Sequence, residues 1–172
     1  GLASDGSNLY YTVLAPENKL FKLTIGSATP VEIASGFSNP FGVALDSVYA
    51  YVADKGANAV VRVDLRTGAK TSVVTGLPSG PVGITVVENY LYLTLDNTHA
   101  IYRALKAGGT ASVVYGSAAI WGHEDNVGTS ARLNSPHDLL FDGYDNLYFT
   151  EYGGNYLRRA RLSTGRVTTL AG

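Results

Sequence analysis

The residues with the most chemical potential form two neighbouring groups in the last third of the chain. The first group combines an indole, an imidazole and polar or acidic side chains: Trp121, His123, Glu124, Asp125 and Asn126. The second group, His137 and Asp138, follows Pro136. Imidazole and carboxylate groups act as general acids, general bases and metal ligands. The candidate metal ligands are therefore His123, His137 and Asp138, and the candidate catalytic residues are His137 and Asp138.

The spacing of these residues matches no strong metal or nucleophile motif. The sequence contains neither the HExxH motif of zinc metalloproteases nor the GxSxG turn of serine hydrolases, so neither of these two hydrolase patterns is present. It also contains no cysteine, so disulfides and thiolate metal sites are excluded. A simpler interpretation is also open, in which His123 and its acidic neighbours solvate a turn and His137 forms a local hydrogen bond.

A repeated pattern indicates which elements position these residues. An apolar–Tyr–apolar–small motif recurs around Tyr10, Tyr51, Tyr92 and Tyr148, at spacings of 41, 41 and 56 residues. A cation keeps the same register, at Lys22, Arg62, Arg103 and Arg159. Self-similarity with a period of about 40 residues is typical of propeller blades. The last spacing is wider because residues 117–133, here named the rim segment, are inserted. We expect the four tyrosines to lie in the blade cores.

The second repeat shows how each blade is built. Its alternating apolar residues and its turn residues predict four strands, at 41–46, 48–53, 59–65 and 69–75. Four short antiparallel strands in about 40 residues form a propeller blade. The sequence therefore predicts an all-β propeller with four blades of four antiparallel strands, at about 1–36, 37–76, 77–116 and 134–172.

The residues of these repeats resemble the NHL family of propellers. The second repeat carries the family pattern in Pro40–Asp46, Tyr51–Asp54 and Asn58–Gly68, and the last repeat is the best match of the four. The stretch GHEDNVGTSARLNSP is similar to the segment between blades in that family. The resemblance implies a six-bladed ring, of which these four blades would be a part. Because NHL-type propellers include protein-binding, RNA-binding and sensor domains and a peptide-amidating lyase, the fold does not select a function.

A second resemblance concerns the start of the last repeat. Residues 134–138, followed by 147–151, are similar to a segment of the gluconolactonase- and regucalcin-like hydrolases. That likeness implies a six-bladed propeller with Ca²⁺ at the channel. The family has a metal-binding Asn where His137 stands, and imidazole suits Ca²⁺ poorly. A different divalent metal at this place stays open, and no other cofactor is implied. The alternative function is therefore a metal-dependent hydrolase, a lactonase or a lyase with its site at the channel mouth.

The main functional prediction is a binding rim. Antiparallel alternation places the rim segment on the same side of the propeller as the loops between second and third strands. Insertions on one rim of a repeat protein mark a binding face. The predicted rim residues are Trp121, His123, Glu124, Asp125, His137, Asp138, Glu151 and Tyr152. We expect a rigid scaffold for a protein or peptide ligand, in which Trp121 is either a binding anchor or a cap on the insertion.

Charge argues against two classes of partner. The chain has 13 Lys and Arg against 14 Asp and Glu, so no overall positive field attracts nucleic acid or an anionic membrane. No apolar run approaches the roughly 18 residues of a membrane span. The basic run Arg158–Arg161 is expected to lie on a solvated strand edge.

Recurrent turn residues and the ends of the repeat series complete the prediction. Acids end the second strands and Asn or His residues follow them, which predicts turn formation at Asp54, Asp96, Glu151, Asn18, Asn58, His99 and Asn155.

An arc of blades exposes an apolar face at each end, which predicts association. Three arrangements are open: a four-bladed ring, an eight-bladed ring of two copies, or a second chain that supplies the missing blades.

Overall fold

The computed structural model describes residues 1–172 and shows an all-β propeller of four blades. Blade I contains β1 (Leu2–Ser4), β2 (Asn8–Val13), β3 (Lys19–Thr24) and β4 (Val31–Ala34). Blade II contains β5 (Pro40–Leu45), β6 (Tyr49–Asp54), β7 (Ala59–Asp64) and β8 (Lys70–Val74). Blade III contains β9 (Pro81–Val87), β10 (Tyr90–Leu95), β11 (Ala100–Leu105) and β12 (Ser112–Gly116). Blade IV contains β13 (Pro136–Phe141), β14 (Asn146–Glu151), β15 (Tyr156–Arg161) and β16 (Val167–Ala171).

Each blade is an antiparallel sheet whose strands follow the order of the chain. Aspartate side chains close the turns between first and second strands, because their oxygens accept nearby backbone amides. In blade II, Asp46 Oδ1 accepts the amides of Val48 and Tyr49. Asp5 and Asp142 close the equivalent turns of blades I and IV in the same way. These short turns give the tight up-and-down path of blades I, II and IV.

The turns between second and third strands use left-handed asparagine. Asn18, Asn58 and Asn155 have positive φ values of 49°, 49° and 56°, as the repeat predicted. In blade III the left-handed residue is Asn97, with φ 55°, and His99 has a different role from the one expected. The Nδ1 atom of His99 accepts the backbone amide of Ser135 at 3.2 Å and so ties blade III to blade IV.

The blades pack face to face in chain order. Three apolar clusters form the core, one between each pair of successive blades. Tyr10, Tyr51 and Tyr92 are buried in these clusters. Tyr148 was expected to be buried as well, but it is only half-buried because it faces away from blade III.

The first strands of the four blades converge. Residues of β1, β5, β9 and β13 line a shared hollow of about 260 Å³, mostly with apolar side chains.

The structure contains no helix with the length and apolar character that a membrane crossing requires.

Candidate functional site

The rim segment runs from the end of blade III along the outer edge of blade IV. Residues 126–128 lie against residues 165–167, where β16 begins, and the Val167 amide donates to the Asn126 carbonyl at 2.8 Å. Nearby, the Gly128 amide donates to the Gly165 carbonyl at 2.9 Å. Val127 forms an antiparallel bridge with Arg166. The segment therefore covers a sheet edge that would otherwise present unpaired backbone groups.

Two apolar side chains fix the far end of the rim segment. Ala131 and Leu133 are fully buried in the cluster between blades III and IV. The Gly122 amide donates to the Leu133 carbonyl at 3.1 Å, and the Arg132 amide donates to the Glu124 carbonyl at 3.1 Å. These bonds fold residues 122–133 into a closed loop, so the exposed residues at its start are held against a buried base.

Arg158 forms the centre of this arrangement. The expectation that the basic run lies on a solvated edge is therefore wrong for Arg158, whereas Arg161 is exposed as expected. Its side chain is 0 % exposed. The guanidinium donates to four acceptors: the Arg132 carbonyl at 2.8 Å, Glu151 Oε1 at 3.0 Å, Asp125 Oδ1 at 2.9 Å and the Glu124 carbonyl at 3.2 Å. A single buried cation therefore joins β14, β15 and the rim segment.

The two acids that pair with Arg158 respond to it differently. Burial raises the pKa of Glu151, and this outweighs the attraction of Arg158. Burial also acts on Asp125, but hydrogen bonds from Thr169 and the contact with Arg158 hold its pKa below the usual value. The second oxygen of Glu151, Oε2, is buried without a hydrogen-bond partner, and His123 Nδ1 lies 3.7 Å from it.

An aromatic row extends from this buried centre to the surface. The His123 ring packs edge-on against Tyr156, with 4.8 Å between ring centroids, and against Trp121 at 6.2 Å. Gly154 permits this approach, since a Cβ atom there would lie 2.6 Å from the His123 ring. Trp121 itself is 63 % exposed. Of the two roles considered for Trp121, this geometry favours an exposed platform over a folded cap.

A second recess lies between blades III and IV. It has a volume of about 200 Å³ and is lined by Asp96, Ser135, His137 and Tyr152 among others. Asp138 lines a different hollow, on the side of blade IV that faces away from blade III. The structure therefore separates His137 from Asp138, although they are adjacent in the chain.

The predicted rim residues fall into two groups. Seven of them are exposed: Trp121, His123, Glu124, Asp125, His137, Asp138 and Tyr152. Glu151 is buried, so it supports the rim from beneath and offers no surface to a ligand. The chain contains no group of three or more His, Cys, Asp or Glu side chains that could hold a metal ion, and the three candidate ligands are not brought into one cluster.

Two residues of the site were missed by the sequence analysis. Arg158 occupies the register position that Val61 and Tyr102 hold in blades II and III, where both are buried. A cation at an apolar position of a repeat was the signal that could have revealed it. Tyr156, which supports His123, has no such signal, since a tyrosine beside a turn is ordinary in a strand-rich chain.

Comparisons with solved structures match the whole chain to longer proteins. A protein of unknown function from Bacteroides thetaiotaomicron has a TM-score of 0.82 and 22% identity, and the match covers 99% of this chain and 46% of that protein. An auxiliary nutrient binding protein from the same organism has a TM-score of 0.79 and 24% identity, and the match covers 99% of this chain and 46% of that protein. Virginiamycin B lyase from Staphylococcus aureus has a TM-score of 0.71 and 20% identity, and the match covers 100% of this chain and 55% of that protein.

These matches establish the propeller fold, and the chain spans about half the length of the proteins it resembles. No protein-family model matches the chain, and no curated protein sequence matches it. Membership of the NHL family therefore stays a prediction from the repeat residues. Similar folds with different activities are common among propellers, so the fold does not decide between binding and catalysis.

Proposed function

We propose that this propeller is a rigid binding scaffold whose ligand is a protein or peptide engaged at the rim segment. The observation that carries the proposal is the anchoring of a non-repeating loop by the buried Arg158. A loop that is held in one conformation before binding loses little conformational entropy when a ligand arrives. Its exposed Trp121 gives the large, flat contact that is typical of binding hot spots.

The recess beside this loop adds polar contacts to the apolar platform. The His137 ring and the Tyr152 side chain are exposed at its mouth, and Asp96 lies within its lining. A peptide that places an apolar side chain on Trp121 and a polar side chain in this recess would use both features. Some proteins of similar fold are described as nutrient binding proteins, which agrees with a binding role.

Selection from a displayed peptide library, followed by direct binding measurements, tests this proposal. Trp121 is the only tryptophan, so its fluorescence reports contact without any label. We expect selected peptides to shift that fluorescence and Trp121→Ala to weaken binding by at least about tenfold, the effect of a hot-spot side chain. Tyr144→Ala is the matched control, because Tyr144 is 90 % exposed in the loop between β13 and β14. Equal binding by both variants would contradict the proposal.

One observation favours a second candidate, a propeller enzyme. The side chains of His137 and Tyr152 line the same recess. For a small ester or lactone bound there, the imidazole would take the proton of an attacking water and the phenol would donate a proton to the departing alkoxide. Turnover of such a substrate that is lost in both His137→Ala and Tyr152→Phe, and kept in Trp121→Ala, would favour the enzyme over the scaffold.

A further inference from the structure

A hollow of about 530 Å³ opens between blades II and III, on the rim opposite the rim segment. Its walls are the turns that join β5 to β6, β9 to β10 and β11 to β12, together with side chains of β6 and β7. Blades II and III each have a neighbouring blade on both sides, so this chain forms the junction by itself. The volume falls within the range of about 300–1,000 Å³ that small-molecule sites have.

Asp46 is the one acidic residue in the lining of this hollow, and its oxygens are engaged. Oδ1 accepts the amides of Val48 at 3.0 Å and Tyr49 at 2.8 Å. Oδ2 accepts the hydroxyl of Tyr51 at 2.9 Å and Lys106 Nζ at 3.1 Å. Burial alone would raise the pKa of Asp46, but these hydrogen bonds hold it below the usual value. Asp46 therefore stays ionised at neutral pH and neutralises Lys106.

Arg62 supplies a second cation, and no carboxylate of the chain pairs with it. The guanidinium lies over the ring of Tyr49, with 4.6 Å between its central carbon and the ring centroid. Stacking on one face fixes the plane of the guanidinium and leaves the N–H donors at its edge available. With two cations and one carboxylate in the lining, the hollow has an excess of one positive charge.

The hollow also has an apolar wall on each side. Val48 of blade II is 49 % exposed, and Leu105 of blade III is 48 % exposed. Both line the hollow, together with the ring of Tyr49. A single exposed aliphatic residue is ordinary on a protein surface, but two that face one recess can enclose the apolar body of a ligand. The recess therefore combines a positive charge with an apolar space.

We propose that this hollow binds a small organic acid, whose carboxylate pairs with Arg62 and whose apolar body lies between Val48 and Leu105. A planar guanidinium offers two parallel N–H donors, which match the two oxygens of a carboxylate. One uncompensated positive charge favours a monoanion, and an inorganic anion would leave the apolar walls without a partner. The site is separate from the peptide-binding rim, so each of the two proposals can fail without the other.

Titration of the chain with three acids of different body, benzoate, 3-phenylpropionate and 4-methylpentanoate, tests this proposal by protein-observed NMR. We expect at least one acid to bind with a Kd of about 1 mM or tighter, as suits a ligand of this size. The neutral amide of that acid lacks the charge, and inorganic phosphate lacks the apolar body. Each should bind at least about tenfold more weakly. The side-chain N–H signal of Arg62 should shift with the acid.

Replacement of Arg62 with glutamine removes the charge and should weaken binding of the acid at least about tenfold. Arg103→Gln is the matched control, because Arg103 holds the same register position in blade III and stacks on Tyr90 at 4.5 Å but does not line the hollow. Ser47→Asp adds a negative charge at an exposed turn position of the lining and should weaken binding as well. Circular dichroism and thermal unfolding show whether each variant is folded.

Four results overturn the proposal. The first is a wild-type chain that binds none of the three acids at about 10 mM. The second is an amide, or phosphate, that binds as tightly as the acid, because the charge or the apolar body then contributes nothing. The third is an equal loss of affinity in Arg62→Gln and Arg103→Gln. The fourth is unchanged affinity in a folded Ser47→Asp variant, which would place the acid elsewhere on the surface.

Discussion

Replacing Arg158 with methionine tests whether one buried side chain holds the rim segment in place. Methionine keeps much of the apolar bulk but removes the guanidinium that donates to Glu151, Asp125 and the carbonyls of residues 124 and 132. The variant therefore leaves two backbone acceptors and one fully buried carboxylate without their cation.

The size of the effect follows from the buried carboxylate. Removal of one partner of a buried ion pair costs about 3–5 kcal/mol, because the other charge stays in a medium of low polarity. We expect Arg158→Met to lower the free energy of unfolding by that amount at neutral pH. Burial already raises the pKa of Glu151, and loss of Arg158 raises it further. Because the pKa of Glu151 is higher in the folded state than in the unfolded state, the folded variant favours protonated Glu151. The loss of stability caused by Arg158→Met should therefore shrink as the pH falls and grow as the pH rises.

Urea unfolding at several pH values measures this penalty. Arg161→Met is the matched control, since Arg161 is exposed, lies 3.6 Å from Asp145 and should contribute less than about 1 kcal/mol. Hydrogen exchange should be faster in Arg158→Met at the amides of Gly122 and Gly128, which donate to the carbonyls of Leu133 and Gly165 in the wild type. A cost of under about 1 kcal/mol for Arg158→Met, or unchanged exchange at these amides, would refute the reasoning.

Two further predictions concern the repeats. Tyr51 donates a hydrogen bond of 2.9 Å to Asp46, so Tyr51→Phe should lower the free energy of unfolding by about 1–2 kcal/mol in urea unfolding. Tyr148→Phe should lower it by less than about 0.5 kcal/mol. Equal losses in the two variants would show that the repeat tyrosines are equivalent. Hydrogen bonds from the Asn146 side chain and from nearby amides lower the pKa of Asp142 to about 2, despite opposing desolvation. Its stabilising effect is present above about pH 4 and is lost as the pH falls through about 2. The wild type should therefore lose more stability than Asp142→Asn over this window, and parallel pH curves would contradict the assignment.

The fold was predictable because it depends on short-range patterns. The repeat tyrosines, the aspartate turns and the left-handed asparagines each act within one or two strands, so their spacing alone indicates four blades. The four strands of blade II begin and end within one residue of the predicted bounds. Tyr148 was misplaced because burial of that position depends on a neighbouring blade and not on the local pattern.

The centre of the candidate site was not predictable in the same way. A cation in a strand of alternating residues is expected to face water, because burial of an unpaired charge is costly. The partners that permit burial of Arg158 lie 26–34 residues away in the rim segment, which has almost no regular structure. Glu151 was placed on the rim for the same reason, since only its pairing with Arg158 makes a buried carboxylate tolerable.

The buried pair is more important for the position of the rim segment than for the stability of the propeller. Buried ion pairs contribute little net stability compared with apolar residues of similar size, and blades II and III hold apolar residues where Arg158 stands. The double variant Arg158→Met with Glu151→Gln removes both charges and should regain about 2 kcal/mol of the loss seen in Arg158→Met alone. Its propeller would be stable, but its rim segment would lack the anchor at Asp125 and at residues 124 and 132. Under the proposed function, this variant should bind selected peptides as weakly as Trp121→Ala does. Wild-type affinity in the stable double variant would mean that the aromatic row alone positions Trp121.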